Sequence, residues 1–188
     1  MNNDKNLNSE QELFKLHNEL YLLLDSLKSE IKDEEFDIIM IRALKSLGNL
    51  SRADRCFIWE NYYLPGSKIL CMKQIYEWVN EEYAFAVQDT DLVENIVYEP
   101  DLYELLSAGN TLNGIVKDFD DYNREVLSAQ NIKSILCVPI HIENLFWGFI
   151  GFDNCQTEAL WSPFEEKVLI SVSLTIGKII MAHRDNKL

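Results

Sequence analysis

Residues 132–153 read Ile-Lys-Ser-Ile-Leu-Cys-Val-Pro-Ile-His-Ile-Glu-Asn-Leu-Phe-Trp-Gly-Phe-Ile-Gly-Phe-Asp, and this stretch decides the fold. It holds two apolar runs, residues 134–142 and 145–152, which are too short for ordinary helices and rich in Val, Ile, Phe and Trp. Only Glu143 and Asn144 separate the runs, so the stretch predicts a buried β-hairpin. Glycines inside the second run predict close packing on the faces of the sheet.

The rest of the chain alternates between helix and strand patterns. Ser162 and Glu165 form a capping box at the start of the last helix, with Pro163 in its first turn. Hairpins near both ends of the predicted series of helices and strands, with helices between them, predict an α+β domain with a central antiparallel sheet and helices on both faces. The predicted helices are 11–31, 36–50, 101–107, 122–130 and 163–183, and the other predicted strands are 55–63, 69–79 and 113–117.

The central hairpin resembles the last hairpin of GAF domains, particularly those of bacterial sensor proteins. The resemblance is carried by Ser-Ile-Leu-Cys-Val-Pro-Ile at 134–140 and Phe-Trp-Gly-Phe-Ile-Gly-Phe-Asp at 146–153. Ala-Asp-Arg at 53–55 and Trp-Ser-Pro-Phe-Glu at 161–165 extend it on both sides. The resemblance covers roughly residues 34–183. We therefore predict three parts: a polar leader with an amphipathic helix at 1–33, a GAF domain at 34–184 and a short tail at 185–188.

Composition and charge limit the class of protein. A chain of 188 residues with 47% apolar residues is long enough for one domain with a sizeable core. The net charge of −14 argues against nucleic acid or an anionic membrane as a partner. Residues 77–125 hold 13 acidic residues against Lys117 and Arg124, so we expect a neutral or cationic small molecule there rather than a phosphate.

The sequence offers no signal for export or for membrane insertion. Residues 1–10 are polar, and no apolar run approaches the ~20 residues that span a bilayer, so we expect a cytoplasmic protein. The four cysteines are scattered without a Cys-x-x-Cys pair, which favours reduced core thiols over a disulfide or a zinc site.

Motifs for catalysis are missing from the sequence. No Gly-x-Ser-x-Gly occurs, and the aspartates at 118–121 lack the order of a calcium loop and instead suit a helix N-terminus. One enzymatic branch of the GAF family reduces free methionine sulfoxide with loop cysteines, but Cys137 is predicted in the middle of a strand. We therefore predict a non-enzymatic sensory or regulatory domain in signal transduction.

The resemblance implies a small-molecule pocket between the sheet and the acidic connecting region. Alternation along 135–142 puts an aliphatic set on the helix side, and similarity to bilin-binding relatives places the opposite set on the pocket side. The alternative is a pocket filled by the chain's own aromatic residues. The predicted ligand-binding residues are Ile135, Cys137, Pro139, His141, Gly148, Ile150, Phe152, Trp78, Tyr122 and Leu127.

Three cofactors known in the family fit this sequence poorly. Covalent bilin binding needs a cysteine near the covering helix, and residues 118–131 contain none. Cyclic nucleotides would meet the acidic stretch, and the Asn-Lys-x-Phe-Asp-Glu pattern of the branch that binds them is missing. Haem would need His141 as an axial ligand, although a lone histidine at a strand end is typically hydrogen-bonded or exposed. The ligand is therefore not assigned from sequence.

The predicted helix at 11–31 carries leucines in a 3-4-3-4 spacing, the pattern of a coiled-coil seam. This spacing predicts a homodimer, in which the last helix also takes part, although the same stripe could pack on its own domain. A ligand-free scaffold for protein interaction is the alternative function. The predicted interface residues are Leu13, Leu16, Leu20, Leu23, Leu27, Val168, Val172 and Ile176.

Overall fold

The computed structural model describes residues 32–82 and 94–185, together with positions 11, 14, 15 and 18. Those four positions are helical. The leucines of the predicted seam lie outside the described residues, so their role as an interface stays a prediction; they are Leu13, Leu16, Leu20, Leu23 and Leu27.

The described strands form one curled antiparallel sheet in the order β3-β2-β1-β6-β5-β4, which confirms the predicted α+β class. None of the described helices is long and apolar enough to cross a bilayer. The elements are α1 (Asp33–Ser51), β1 (Arg55–Tyr63), β2 (Leu70–Val79), β3 (Ile96–Val97), α2 (Pro100–Ser107), β4 (Leu112–Ile115), a 3-10 turn (Val116–Asp118), α3 (Asp121–Ala129), β5 (Ser134–Ile142), β6 (Leu145–Asn154) and α4 (Pro163–Asp185).

Local signals in the sequence set the ends of these elements. Glu143 and Asn144 have φ angles of 49° and 67°, which is the conformation of a two-residue hairpin turn. In the capping box, the backbone amide of Glu165 donates to Ser162 Oγ at 3.2 Å, and the amide of Ser162 donates to Glu165 Oε2 at 2.8 Å. Asp120 caps α3 by accepting from the amide of Asn123 at 3.0 Å.

The hairpin of β5 and β6 contains a one-residue bulge. His141 pairs with Phe146, but Ile140 pairs with Gly148, so Trp147 is the extra residue. A shift of one residue turns every following side chain to the opposite face of a sheet. Beyond the bulge, the side chains of β6 therefore face opposite to those of an unbroken hairpin.

The two faces of the sheet carry separate clusters of buried side chains. The face that packs against α1 and α4, here called the helix face, is filled by aliphatic and aromatic residues from β1, β5 and β6. The other, here called the cavity face, is covered by the shorter helices α2 and α3. The largest fully buried side chains of the helix face are Met40, Leu44, Leu47, Ile58, Leu136, Ile140, Ile150, Phe152, Leu169 and Ile176.

Helix α4 directs its main apolar stripe into its own domain. Val168, Val172 and Ile176 are at most 9% exposed and belong to the helix-face cluster. They are therefore enclosed by their own sheet, which differs from the predicted role of these side chains in a dimer interface. The exposed apolar residues of α4 are instead Phe164 and Leu174.

The beginning of α1 and the end of α4 are in contact with each other. The ring of Phe36 stacks on that of His183 with centroids 3.8 Å apart and planes within 3°. His183 Nε2 also lies 3.1 Å from Asp33 Oδ1. This contact brings the two ends of the domain together.

Candidate functional site

A cavity of about 990 Å³ lies between the cavity face of the sheet and helices α2 and α3. Its volume is at the upper end of the range for small-molecule sites, which are usually ~300–1,000 Å³. The strands β1, β2, β5 and β6 provide one wall, and α2, the segment after β4 and α3 provide the other. The cavity therefore has the position that the sequence analysis predicted for a ligand pocket.

Most of the cavity wall is apolar or aromatic. The rings of Trp59 and Phe149 lie parallel, with centroids 6.2 Å apart and an interplanar angle of 6°. Such a wall binds the apolar part of a ligand by excluding water, and a few polar groups fix the orientation of the ligand. Its apolar and aromatic residues are Phe57, Trp59, Met72, Ile96, Pro100, Leu102, Leu105, Leu112, Phe119, Tyr122, Val126, Leu127, Ile132, Ile135, Cys137 and Phe149.

A buried ion pair stands in this wall. The guanidinium of Arg55 donates from Nε to Asp153 Oδ2 at 2.8 Å, and its Nη2 contacts the same oxygen. Arg55 Nη2 also donates to Gln130 Oε1 at the end of α3, at 3.2 Å. A second carboxylate, Glu77 Oε1, lies 3.9 Å from Arg55 Nε. Through its neighbours on β6, β2 and the end of α3, Arg55 of β1 therefore connects three strands with the covering helix.

The carboxyl group of Asp153 has a raised pKa and one oxygen without a hydrogen-bond donor among the described residues. Complete burial raises its pKa from 3.8 to about 6, although the charge and the hydrogen bonds of Arg55 act against that rise. Only Oδ2 is bonded to Arg55, and Oδ1 accepts no hydrogen bond from the described residues. Burial also raises the pKa of Glu77. The wall thus contains two poorly solvated carboxyl groups, and that of Asp153 has an oxygen without a donor among the described residues.

Among the described residues, aromatic side chains fill one end of the cavity face. Tyr98 packs its ring against Tyr103, Phe146 and Phe149, and its hydroxyl donates to Asn61 Oδ1 at 2.6 Å. Open volume remains beside this cluster, so the aromatic residues that the structure describes do not close the cavity. The alternative of a pocket filled by the chain's own aromatic residues stays a prediction, because Tyr83 and Phe85 lie outside the described residues.

Four of the predicted ligand-binding residues line the cavity. Ile135 and Cys137 extend from β5, and Tyr122 and Leu127 from α3. The Cys137 thiol is buried, and that burial raises its pKa well above the usual range, so a reactive thiolate is disfavoured. These residues shape the wall without offering a nucleophile.

Three others lie on the wrong face for that role. Ile150 and Phe152 pair with Val138 and Leu136 and belong to the helix-face cluster. An unbroken hairpin would have put them beside Cys137 and Ile135, but the bulge at Trp147 reverses the faces of β6.

Trp78 is the third, and it belongs to the same cluster on the helix face. Its ring lies against α1, where a Cβ added at Gly48 would come within 2.1 Å of it. The prediction of Trp78, Ile150 and Phe152 as pocket residues is therefore corrected.

The remaining three predicted residues lie outside the described cavity wall. The carbonyl oxygen of Pro139 accepts from Ser173 Oγ of α4 at 2.9 Å. His141 Nε2 lies 3.1 Å from the carbonyl oxygen of Ser107, which can only accept, so this nitrogen donates and holds the end of α2. Gly148 packs under β1, where an added Cβ would come within 2.0 Å of a backbone oxygen. All three have structural roles.

Sequence reasoning missed the polar part of the wall. Arg55, Glu77 and Asp153 were not proposed as site residues, although each is a charged residue directly beside apolar residues of a strand. A charged residue at an inward-facing strand position must be paired, because burying it alone is costly. That rule is the signal that could have identified them.

Comparisons with known proteins agree with this architecture. The GAF domain family matches residues 35–180. The chain is 38% identical over 153 residues to the methanogenesis regulatory histidine kinase FilI of Methanothrix harundinacea (strain 6Ac). This match covers 80% of the chain but only 17% of the kinase, so it concerns one segment of a much longer protein.

Solved structures support the same fold. The phycoerythrobilin-bound GAF domain of a cyanobacterial phytochrome superposes with a TM-score of 0.70 at 15% identity, covering 91% of this chain and 97% of that one. The phycocyanobilin-bound GAF domain of a cyanobacterial phytochrome gives 0.70 at 14% identity, covering 93% and 96%. Together with the family match, these comparisons establish that the chain belongs to the GAF domain family.

Proposed function

We propose that the chain is a non-enzymatic sensory or regulatory domain that binds a small molecule in the cavity and relays binding through its end helices. The observation that carries this proposal is the cavity of about 990 Å³, open on one face of a sheet whose other face is filled. The bilins of the solved relatives are not carried over, because the one cysteine in the described wall, Cys137, is buried within β5.

The shared strands supply a route from the cavity to the helices. Trp59 of β1 lines the cavity, while the next residue, Glu60, faces the other way. Glu60 Oε2 accepts from Arg184 Nη2 near the end of α4 at 3.1 Å. A ligand that binds one position of β1 better than another would therefore bias the position of α4.

A substitution that fills the cavity tests ligand binding. Val126 of α3 lines the cavity and is 42% exposed, so Val126→Trp adds bulk there without opening the core. Compounds that raise the melting temperature of the wild type in a thermal-shift screen should lose that effect in the variant. Native mass spectrometry of the purified protein gives the second measurement, since a bound molecule should be absent from Val126→Trp.

Val97→Trp is the matched control. Val97 is 58% exposed in β3 and is not part of the described cavity wall, so this variant should keep every ligand. If no compound stabilises the wild type and no molecule copurifies with it, the ligand-free scaffold is the better description. If Val126→Trp keeps the ligands, the cavity is not their site.

We also propose that the domain forms a homodimer through helices at its ends. The heptad spacing of the leucines in 11–31 supports this, together with exposed apolar side chains at Ile38 of α1 and Leu174 of α4. Burying a leucine contributes ~1.5–3 kcal/mol, so several of them offset the cost of association. The sedimentation coefficient at micromolar concentration should be that of a dimer and should fall when Leu20 and Leu27 are both replaced by Glu. A monomeric wild type, or a dimer that persists in the variant, contradicts the proposal.

A further inference from the structure

The charged residues of the cavity wall are strongly unbalanced. The described wall contains five carboxylates and one basic side chain, that of Arg55. A cleft with low-dielectric walls and one dominant sign of charge concentrates ligands of the opposite sign. The carboxylates are Glu77, Glu99, Asp101, Asp120 and Asp153.

Two of the three guanidinium nitrogens of Arg55 are already engaged by other residues of the wall. Its Nε and Nη2 are both engaged with Asp153 Oδ2, and Nη2 is also engaged with Gln130. Glu77 lies 3.9 Å from its Nε. A ligand carboxylate or phosphate at this guanidinium would bring a third negative charge next to the buried Asp153 and the half-buried Glu77, and like charges in a poorly solvated site repel strongly.

The wall lacks a donor at one buried atom. Asp153 is fully buried, and its Oδ1 accepts no hydrogen bond from the described residues. A buried acceptor without a partner destabilises the protein, so a ligand that brings an N–H group gains by supplying it. This observation is independent of the charge count and points to the same kind of ligand.

Aromatic rings surround the same space. Phe57, Trp59, Phe149, Phe119 and Tyr122 all line the cavity. The face of an aromatic ring attracts cations, and a protein cation already uses one of them, because the guanidinium carbon of Arg55 lies 5.5 Å from the ring centroid of Phe57. Rings and carboxylates together form a surface suited to an organic cation.

We propose that the ligand of the cavity is an organic cation, with an ammonium or amidinium group directed to Glu77 and Asp153 and an apolar or aromatic body against the rings. This inference rests on the proposed function, since it names the chemistry of the ligand that the cavity takes. The cation supplies the N–H donor that Asp153 Oδ1 lacks and balances the excess negative charge. Anions of similar size are rejected.

Three compounds of similar size and different charge test the inference. Isothermal titration calorimetry on the full chain at neutral pH compares 2-phenylethylamine, 2-phenylethanol and 3-phenylpropanoate. The amine should bind about tenfold or more tightly than the alcohol, and the carboxylate should bind most weakly of the three.

An isosteric variant separates charge from shape. Glu77→Gln keeps the size of the side chain and should weaken binding of the amine severalfold while leaving the alcohol unchanged. Glu81→Gln is its control, because Glu81 is exposed beyond the end of β2, is not part of the described wall and changes the net charge equally. This pair avoids Asp153, whose replacement would leave Arg55 buried without its main partner.

The outcomes test the cation inference separately from the proposed function of ligand binding. Equal binding of amine and alcohol, preference for the carboxylate, or no binding by any of the three overturns the cation inference. The proposed function is judged separately by Val126→Trp, which removes binding of any cavity ligand whatever its charge. A ligand that Val126→Trp abolishes and Glu77→Gln leaves unaffected would therefore support the pocket and refute the cation.

Discussion

Neighbouring residues of the same strands meet two different environments in this domain. On the helix face, Ile140 has no exposed surface and contacts α4 closely enough that a Cβ at Gly177 would come within 2.6 Å of it. On the cavity face, Ile135 borders a space of about 990 Å³. Both faces are built from apolar side chains, so apolar character alone does not determine whether a face is filled. The difference comes from the covering helices, which are 19 and 23 residues long on one face and 8 and 9 on the other.

Truncating one isoleucine on each face tests most directly whether the two faces differ in packing. Ile140→Ala should lower the free energy of unfolding by ~3–4 kcal/mol, because it opens a cavity in a filled layer. Ile135→Ala should cost ~2 kcal/mol or less, because its side chain has fewer neighbours to lose. Urea unfolding without added ligand measures both values. Equal losses would mean that the cavity face is as tightly packed as the helix face.

The pH dependence of stability should also differ between the two faces, because they carry carboxyl groups whose pKa values are shifted in opposite directions. Burial raises the pKa of Asp153 to about 6 on the cavity face. Its contribution to stability is therefore complete below about pH 4 and is lost as the pH rises through about 6. We expect the stability of the wild type relative to Asp153→Asn to fall by on the order of 2 kcal/mol over that interval.

Glu60 on the helix face provides the opposite case. Burial opposes its ionisation, but the hydrogen bonds and charges of Arg184 and Lys73 outweigh that effect and lower its pKa. Its contribution is present above the ordinary pKa of a glutamate and is lost as the pH falls. Relative to Glu60→Gln, the wild type should therefore gain stability as the pH rises, by a smaller amount because Arg184 is partly exposed to solvent. Urea unfolding from about pH 4 to 7.5 distinguishes the two signs, and slopes of the same sign would refute the assignment.

Much of the fold could be predicted from local signals. The turn at Glu143 and Asn144, the capping box at Ser162 and Glu165 and the short apolar runs each act over a few residues, and each is found where the sequence placed it. Residues 134–142 form β5 as predicted, and β6 extends two residues further than its predicted end.

The site was harder to predict because it depends on non-local geometry. The bulge at Trp147 could not be recognised, since β6 is apolar on both faces and its alternation does not show which residue is extra. The pairing of Arg55 with Asp153 joins residues 98 positions apart, which no local pattern reveals. Likewise, the sequence does not show whether the apolar stripe on α4 packs on its own sheet or on a second copy of the chain.

The stacking of Phe36 on His183 has a consequence for how the domain fits into a chain. Because α1 begins where α4 ends, the polypeptide enters and leaves the domain at nearly the same point. A domain with adjacent ends can be inserted between two segments without lengthening the path between them. The contacts of His183 with Phe36 and Asp33 lie where those segments join the domain, so a ligand that moved α4 relative to α1 would change the spacing of the segments.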